Sequence, residues 1–198
     1  MDNIWAIVLA AGSSSRMGKP KMLLPFQGKT IIETVVLNIK LILNKNILVV
    51  LGSNNEEISK QIHKLQVKTC FNNNYPEGML SSIICGINRL PENVKAFLIF
   101  LGDQPQIPDS VARQVINSWK NSKKGIAIPI FNGKRGHPVL IDAKYKTKIQ
   151  KLDPKQGLRQ LMTGNKNDIL EVECEYPEIL RDIDTPKDYQ NEITNKTN

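Results

Sequence analysis

Short apolar runs alternate with longer amphipathic stretches over most of this chain. Consecutive apolar positions are typical of strands that are covered on both faces of a sheet, whereas apolar positions three and four apart are typical of one helix face. The pattern predicts six strands, at residues 4–10, 46–51, 67–71, 95–101, 125–130 and 138–141. It predicts four helices, at residues 30–43, 54–64, 78–90 and 109–121.

Two of the predicted helices begin with recognisable signals. Thr30 and Glu33 have the spacing of a capping box, in which each side chain accepts a hydrogen bond from the backbone N–H of the other residue. Pro108 followed by Asp109 is a favourable start for the fourth helix. These signals support the helix boundaries that the periodicity predicts.

The order of the elements indicates the fold class. Strands that alternate with helices predict an α/β protein with a mostly parallel central sheet and helices on both faces. No repeat or linker divides the sequence, so we expect a single domain at residues 1–190 and a flexible tail at 191–198. In a sheet of this kind, ligands bind beyond the carboxyl ends of the strands, so we expect the functional residues in the segments that follow the strands.

The segment after the first predicted strand is long, small and basic. Residues 10–21 contain two glycines, three consecutive serines, Arg16 and Lys21, and a connection in such a fold usually has only about two to six residues. Small residues let backbone N–H groups approach an anion, and Arg16 and Lys21 can neutralise a polyphosphate. The segment matches neither the Walker A pattern nor the dinucleotide-binding glycine pattern. The alternative is an ordinary flexible surface loop.

A second polar segment, residues 102–105, follows the fourth predicted strand. A carboxylate at the end of a strand can hold Mg²⁺ that bridges phosphate groups, because Mg²⁺ needs few protein oxygens. Asp103 is therefore a candidate metal ligand. The alternative is that Asp103 only orders the turn or caps the next helix.

The net charge of +8, from 27 basic and 19 acidic residues, suggests an anionic partner. A nucleic-acid binder is disfavoured, because no recognised nucleic-acid module is present and only 6% of the residues are aromatic. No membrane contact is expected, since no apolar stretch approaches the ~20 residues that span a bilayer. Three scattered cysteines fit the reducing cytoplasm better than a disulfide framework. A strongly anionic small molecule remains the favoured partner.

The first loop carries a family resemblance. Residues 9–25, LAAGSSSRMGKPKMLLP, resemble the signature of the nucleotidyltransferases with an NTP-transferase domain, and most closely the molybdenum cofactor cytidylyltransferase branch, which is related to the guanylyltransferases. Further segments match this branch in order: NYPEGMLSS at 74–82, GDQP at 102–105, GHPVL at 136–140, GLRQL at 157–161 and DIDTPKD at 182–188. Leu158 stands where the family usually has alanine. The matches cover practically the whole chain.

The resemblance implies a Rossmann-like three-layer sandwich of the nucleotidyltransferase, or GT-A-like, type. It also implies a cytoplasmic, Mg²⁺-dependent enzyme whose small-molecule substrates are CTP and molybdenum cofactor. The terminal phosphate of the cofactor attacks the α-phosphorus of CTP, which makes a pyrophosphate-linked dinucleotide and releases pyrophosphate. Such a reaction needs positioning and charge neutralisation more than a protein nucleophile. Transient contact with a molybdoenzyme is the implied protein contact.

The same resemblance implies roles for individual residues. Arg16, Lys21 and Asp103 are the implied catalytic residues, with the two cations on the triphosphate and Asp103 on the metal. Asp184 is the second implied metal ligand, and Asp182, two residues away, is the alternative. The implied nucleotide-binding residues are Leu9, Ala10, Ala11, Gly12, Ser13, Arg16, Lys21, Gly78, Ser81 and Ser82.

The acceptor site and the choice of nucleotide depend on fewer residues. His137 and Arg135 are the implied acceptor contacts, with Arg159 as a further candidate, although a lone histidine more often stabilises a turn or lies in the core. CTP is favoured over GTP by Ala11, where the guanylyltransferases tend to carry glycine, and by the segment 20–25. GTP, or a sugar or polyol phosphate as acceptor, is the main alternative. A non-catalytic cofactor-binding accessory protein for a molybdenum dehydrogenase is the second alternative.

Overall fold

A central sheet contains most of the strands of this structure, a computed structural model that describes residues 3–194. The strands of the described part are β1 (Ile4–Ala10), β2 (Pro25–Phe26), β3 (Lys29–Thr30), β4 (Ile47–Leu51), β5 (Lys68–Phe71), β6 (Ala96–Leu101), β7 (Ile126–Phe131), β8 (Lys134–Arg135), β9 (Val139–Asp142) and β10 (Ile169–Glu173). Its α-helices are α1 (Ile31–Leu43), α2 (Asn55–Ile62), α3 (Met79–Ile87), α4 (Asp109–Lys120), α5 (Lys146–Ile149), α6 (Leu158–Thr163) and α7 (Pro186–Thr194).

The strand order of the large sheet is β10-β7-β9-β6-β1-β4-β5, with β8 paired to β7. β1 is parallel to both of its neighbours, β4 and β6. β5 is parallel to β4, and β10 is parallel to β7. Within this order β9 is the strand that runs antiparallel to both neighbours, β6 and β7. The prediction of a mostly parallel sheet is therefore confirmed.

Strand β1 shows why the strands are apolar on consecutive positions. Ile4, Ala6 and Val8 pack on one face of the sheet in a core shared with α1 and α4, whereas Ile7 and Leu9 pack on the other face with α3. Successive side chains of a strand point to opposite faces, and both faces are covered here, so every residue of β1 is buried. The sheet is the middle layer of three, which confirms the predicted Rossmann-like three-layer sandwich.

The predicted starts of α1 and α4 are also confirmed. Thr30 Oγ1 accepts a hydrogen bond from the backbone N–H of Glu33, and the Glu33 carboxylate accepts one from the N–H of Thr30. The first turn of α1 is therefore capped reciprocally. Helix α4 begins at Asp109. None of the described helices combines the length and the apolar character that crossing a bilayer requires.

Several elements near the carboxyl terminus do not follow from the sequence pattern. β10 lies at the edge of the sheet, where the exposed Glu171 and Glu173 interrupt its apolar residues. Helices α5 and α6 are only four and six residues long, too short for a clear periodicity. Helix α7 extends to Thr194, so residues 191–194 of the expected tail are helical. Residues 195–198 of that expected tail lie outside the described residues.

Candidate active site

A cavity of about 710 Å³ opens at the carboxyl ends of β1 and β6. This is the edge of a parallel sheet at which ligands are expected. The described residues that line the cavity are Leu9, Ala11, Gly12, Ser13, Arg16, Lys21, Met22, Tyr75, Pro76, Gly78, Met79, Ser82, Leu101, Asp103, Asp182 and Asp184. Most of the nucleotide-binding and metal-binding residues predicted from the sequence are therefore brought together.

The loop between β1 and β2 forms one wall of this cavity. Ser14 adopts a left-handed conformation, with φ of 54°, and its hydroxyl accepts a hydrogen bond from the backbone N–H of Lys21 at 3.1 Å. This bond connects the two ends of the loop. The buried side chain of Lys21 consequently enters the cavity from the far end of the loop.

Gly52, directly after β4, holds this loop close to the rest of the site. A Cβ atom on Gly52 would lie 2.6 Å from the carbonyl oxygen of Ala11 and 2.8 Å from Cβ of Tyr75. The backbone N–H of Ser53 donates to the same Ala11 carbonyl at 3.3 Å. Because only glycine permits this approach, the loops that follow β1, β4 and β5 meet at one point.

Two cations and two carboxylates from distant parts of the chain form a charged cluster in the cavity. Lys21 Nζ lies 2.5 Å from Asp103 Oδ2 and 2.9 Å from Asp184 Oδ1. Arg16 Nη2 lies 2.8 Å from the other carboxylate oxygen of Asp184. The side chains of Lys21 and Asp103 are only 9% and 14% exposed, whereas that of Arg16 is 68% exposed. Lys21 is therefore enclosed between the carboxylates, and Arg16 reaches them from the solvent.

The neighbouring charges determine the ionisation of this cluster. Burial lowers the pKa of Lys21, but the charges and hydrogen bonds of Asp103 and Asp184 outweigh burial and raise that pKa above its ordinary 10.5. Burial raises the pKa of Asp184, but contact with Lys21 and Arg16 lowers it by more, to a value below the ordinary one. Lys21 and Asp184 are therefore both charged at neutral pH.

Asp182 and Asp184 stand on either side of Ile183, whose side chain is buried and whose N–H donates to the Asp103 carbonyl at 3.3 Å. Both carboxylates consequently line the cavity. Asp184 belongs to the charged cluster, whereas Asp182 accepts a hydrogen bond from Gln104 Nε2 at 2.8 Å. Burial, and then the charges of Asp103 and Asp184, raise the pKa of Asp182. Asp184 is thus the carboxylate that shares a cation with Asp103.

The donor set of the cluster fits a Mg²⁺ ion. Asp103 and Asp184 bind the same ammonium, so their oxygens lie close enough to share one cation. Mg²⁺ prefers oxygen ligands and usually takes only one or two protein carboxylates when phosphates supply further oxygens. Within residues 3–194, no group of three or more His, Cys, Asp or Glu side chains is arranged to hold a metal ion. Substrate oxygens or water would therefore have to complete the coordination.

The start of α3 contributes another wall. Gly78 has φ of 103° and precedes the helix, and Ser82 in its first turns lines the cavity. Asn72 Nδ2 donates to the hydroxyls of Ser81 and Ser82 at 2.9 and 3.0 Å. The Ser81 hydroxyl also lies 2.8 Å from the carbonyls of Asn74 and Gly78. Ser81 therefore holds the loop in place, and Ser82 is the serine that faces the cavity.

A second cavity, of about 780 Å³, adjoins the first one at Met79, which lines both. Half-buried His137 is one of its walls, with Nδ1 3.4 Å from the Ile99 carbonyl, and burial lowers the pKa of this histidine. Lys155 and Arg159 bring positive charge to the cavity. Its described lining consists of Met79, Leu80, Ile83, His137, Pro154, Lys155, Gln156, Gly157, Leu158 and Arg159.

Two further predicted site residues lie elsewhere. Ala10 is completely buried in the core beside the first loop. Arg135 lies on β8 at the surface, and its guanidinium is 2.8 Å from the carboxylate of Glu171 on β10. Neither residue is among the described residues that line the two cavities. The acceptor-binding role of Arg135 stays a prediction.

Five residues that line the first cavity were not predicted from the sequence as site residues: Met22, Tyr75, Pro76, Met79 and Leu101. Tyr75, Pro76 and Met79 belong to the segment at 74–82, so its match to the family was the available signal. Met22 lies within the family signature at 9–25, whereas Leu101 only continues the apolar run of β6 and resembles a core residue.

The fold and the charged cavity together define a class, the α/β enzymes that act on nucleoside triphosphates. The family model described as "MobA-like NTP transferase domain" matches residues 6–169, and the chain belongs to this family of nucleotidyltransferases. The chain is 32% identical over 190 residues to the molybdenum cofactor cytidylyltransferase of Escherichia coli K12. The aligned region covers 96% of this chain and 95% of that protein.

Two other similarities concern the nucleotide and the fold. The chain is 30% identical over 132 residues to a probable molybdenum cofactor guanylyltransferase of Natranaerobius thermophilus. The aligned region covers 67% of this chain and 62% of that protein. A solved structure of a nucleotidyl transferase from Methanothermobacter thermautotrophicus superimposes with a TM-score of 0.84 at 22% identity, over 100% of both chains. The second similarity concerns the fold alone, and it agrees with the predicted nucleotidyltransferase architecture.

Proposed function

We propose that this protein is a cytidylyltransferase that joins CMP from CTP to the terminal phosphate of molybdenum cofactor. The proposal depends on one observation above all: Lys21 and Arg16 meet Asp103 and Asp184 in a cavity at the carboxyl edge of the sheet. Nucleotidyl transfer needs cations for a triphosphate and carboxylates for a divalent cation in the same place. The similarity to the Escherichia coli protein over nearly the full length of both chains supports the choice of substrates.

The nucleotide binds in the first cavity in this proposal. Leu9, Ala11 and Gly12 contact the base and ribose, and the small size of Ala11 and Gly12 lets the backbone approach the ligand. The start of α3 adds N–H donors and the Ser82 hydroxyl, while Ala10 and Ser81 act by holding the neighbouring backbone. The residues assigned to nucleotide binding are Leu9, Ala10, Ala11, Gly12, Ser13, Arg16, Lys21, Gly78, Ser81 and Ser82.

The transfer itself exchanges one bond to phosphorus for another. An oxygen of the acceptor phosphate bonds to the α-phosphorus of CTP, while the bond from that phosphorus to the leaving pyrophosphate oxygen breaks. Arg16 and Lys21 neutralise the charge on the phosphate oxygens as this happens. Asp103 and Asp184 would hold Mg²⁺, which supplies charge neutralisation and polarisation of the triphosphate when bound. No protein nucleophile is needed, because the acceptor phosphate is the nucleophile.

The acceptor binds in the second cavity in this proposal. Met79 lines both cavities, so an acceptor bound in the second one lies beside the nucleotide. Lys155 and Arg159 supply cations for its phosphate. His137 is neutral at pH 7, because burial lowers its pKa, and it offers a hydrogen bond rather than a charge.

A panel of nucleotides tests the proposal. Purified protein is incubated with Mg²⁺, molybdenum cofactor and CTP, GTP, ATP or UTP, while pyrophosphate and the dinucleotide product are measured. We expect both products with CTP. Products with GTP alone would favour the guanylyl alternative, to which the similarity to the Natranaerobius protein points. Transfer only to a sugar or polyol phosphate would show that molybdenum cofactor is not the acceptor. The absence of pyrophosphate with every combination of nucleotide and acceptor would contradict the proposal.

Two further assignments belong to the same proposal. We place the protein in the cytoplasm, where the free thiols of Cys70, Cys85 and Cys174 remain reduced, and we expect transient contact with the molybdoenzyme that receives the product. The non-catalytic alternative predicts that Asp103→Asn supports maturation of a molybdenum dehydrogenase as well as the wild type does. Loss of maturation in that variant argues for the enzyme.

A further inference from the structure

The ammonium of Lys21 occupies the space between two carboxylates that a divalent cation would share. Nζ lies 2.5 Å from Asp103 Oδ2 and 2.9 Å from Asp184 Oδ1, and only 9% of the Lys21 side chain is exposed. The second oxygen of Asp184 is also engaged, because Arg16 Nη2 binds it at 2.8 Å. A metal ion that binds these two carboxylates together must therefore compete with the ammonium for their oxygens.

Binding of a free divalent cation is therefore a competition with Lys21. The incoming ion must lose part of its hydration shell, and Mg²⁺ does so reluctantly. The Lys21 ammonium must at the same time give up its hydrogen bonds in an enclosed place and face a second positive charge. Both effects weaken the binding of a metal ion that arrives alone.

A triphosphate removes both obstacles. Its oxygens offer Lys21 and Arg16 new anionic partners, so that neither cation is left unpaired when the carboxylates are released. The same triphosphate supplies oxygen ligands that the protein does not offer, because Mg²⁺ commonly combines one or two carboxylates with substrate phosphates. Metal and nucleotide then favour each other's binding.

We infer that Lys21 is an internal counter-cation that keeps Asp103 and Asp184 from binding a free divalent cation and releases them to a cation that enters with a nucleoside triphosphate. The inference rests on the proposed function, because it uses the same two carboxylates as metal ligands. It gives Lys21 a positioning role beside its contact with the triphosphate. The free protein then binds divalent cations weakly, and the nucleotide brings the metal in.

Binding of Mn²⁺ without nucleotide tests this role directly. Lys21→Met keeps a long unbranched side chain and removes the charge, so we expect Mn²⁺ to bind about tenfold more tightly than to the wild type, as measured by ultrafiltration. Lys19→Met is the matched control, since it removes one positive charge from an exposed position of the same loop. We expect it to change the affinity less than about twofold, because solvent and salt screen an exposed charge. The double variant Lys21→Met with Asp103→Asn should lose the gain.

The melting temperature provides a second measurement. Mn²⁺ should raise the melting temperature of Lys21→Met by more than that of the wild type, because the metal replaces the missing ammonium. A variant that is folded only with Mn²⁺ would support the inference. An unchanged Mn²⁺ affinity in folded Lys21→Met, an equal gain in Lys19→Met, or a Lys21→Met protein that is unstable both with and without Mn²⁺ would overturn it.

Addition of CTP to the wild type separates this inference from the proposed function. We expect CTP to increase the protein-bound Mn²⁺ by about tenfold at low metal concentration, with the protein-bound fraction isolated because CTP binds Mn²⁺ by itself. If Lys21→Met gains Mn²⁺ affinity while CTP has no effect on the wild type, the counter-cation role is supported and the choice of nucleotide is contradicted.

Discussion

Lys21 and Asp103 are 82 positions apart in the sequence, yet their side chains form an enclosed ion pair of 2.5 Å. The two residues follow β1 and β6, which are parallel neighbours in the sheet. The N–H of Gly102 donates to the Leu9 carbonyl at 3.0 Å and continues this pairing one residue past the end of β6. The charged cluster is therefore a direct product of the strand order.

Asp103→Asn should lower kcat by about a hundredfold or more. The amide keeps the size of the side chain but removes a charged metal ligand and the strongest partner of Lys21. Pyrophosphate release measures the rate, and calorimetry with CTP shows that the variant still binds nucleotide. Asp109→Asn is the control, because Asp109 pairs with Arg113 on the surface of α4 and should leave the rate unchanged. A wild-type rate in Asp103→Asn would contradict the metal-ligand assignment.

Gly52→Ala should lower the free energy of unfolding by about 1–3 kcal/mol, because the new methyl group would overlap the Ala11 carbonyl. A Cβ on Gly12 meets nothing within 4 Å. We therefore expect Gly12→Ala to keep the unfolding free energy within about 0.5 kcal/mol and to raise the KM for CTP, since its methyl group enters the cavity. Urea denaturation and steady-state kinetics distinguish the two. An equal loss of stability in both variants would show that the contact with Ala11 is unimportant.

Glu33 should make stability depend on pH in the acid range. Burial raises its pKa, but hydrogen bonds from Thr30, Gln61 and Lys64 outweigh burial and lower the pKa from 4.5 to about 2. Because the pKa of Glu33 is lower in the folded protein than in the unfolded chain, ionised Glu33 stabilises the fold at pH values above the unfolded-state pKa. This stabilisation is lost as the pH falls toward the folded-state pKa. The shift corresponds to about 3 kcal/mol at neutral pH.

Glu33→Gln should therefore lower the free energy of unfolding by up to about 3 kcal/mol at pH 7 and by clearly less near the folded pKa of about 2. Urea denaturation at both pH values measures the difference. Glu57→Gln, an exposed change in α2, should have little effect at either pH. A deficit of Glu33→Gln that is as large in acid as at neutral pH would show that the charge of Glu33 does not stabilise the fold.

Arg159→Met should raise the KM for the phosphorylated acceptor by about tenfold and leave the KM for CTP unchanged, because Arg159 lines the second cavity and not the first. Arg135→Met is the informative comparison, since the sequence predicts an acceptor role for Arg135 whereas the structure pairs it with Glu171. Steady-state kinetics with each substrate varied separates the effects. An acceptor effect confined to Arg135→Met would place the acceptor outside the second cavity.

Local sequence determined six of the described strands, the first four α-helices and the chemical character of the first loop. The apolar run at Ile4–Ala10 predicts a strand covered on both faces, and Thr30 with Glu33 predicts the start of α1, because periodicity and capping involve residues only a few positions apart. The small and basic residues of the first loop predict an anion site, and the motif at residues 9–25 carries the resemblance to the nucleotidyltransferases. The position of Asp103 after a strand predicts a metal ligand, and the family resemblance adds Asp184 as a second one; both assignments stay predictions.

Tertiary structure alone decided which of these residues meet. Lys21 and Asp184 are 163 positions apart, and only the order of the strands and the hydrogen bond from the Ile183 N–H to the Asp103 carbonyl place Asp184 Oδ1 2.9 Å from Lys21 Nζ. The same holds for Arg135, whose pairing with Glu171 depends on β10 joining β7 at the sheet edge. Local pattern reports which residues are polar and which are buried, whereas contact depends on how distant segments pack, and packing is a property of the whole chain.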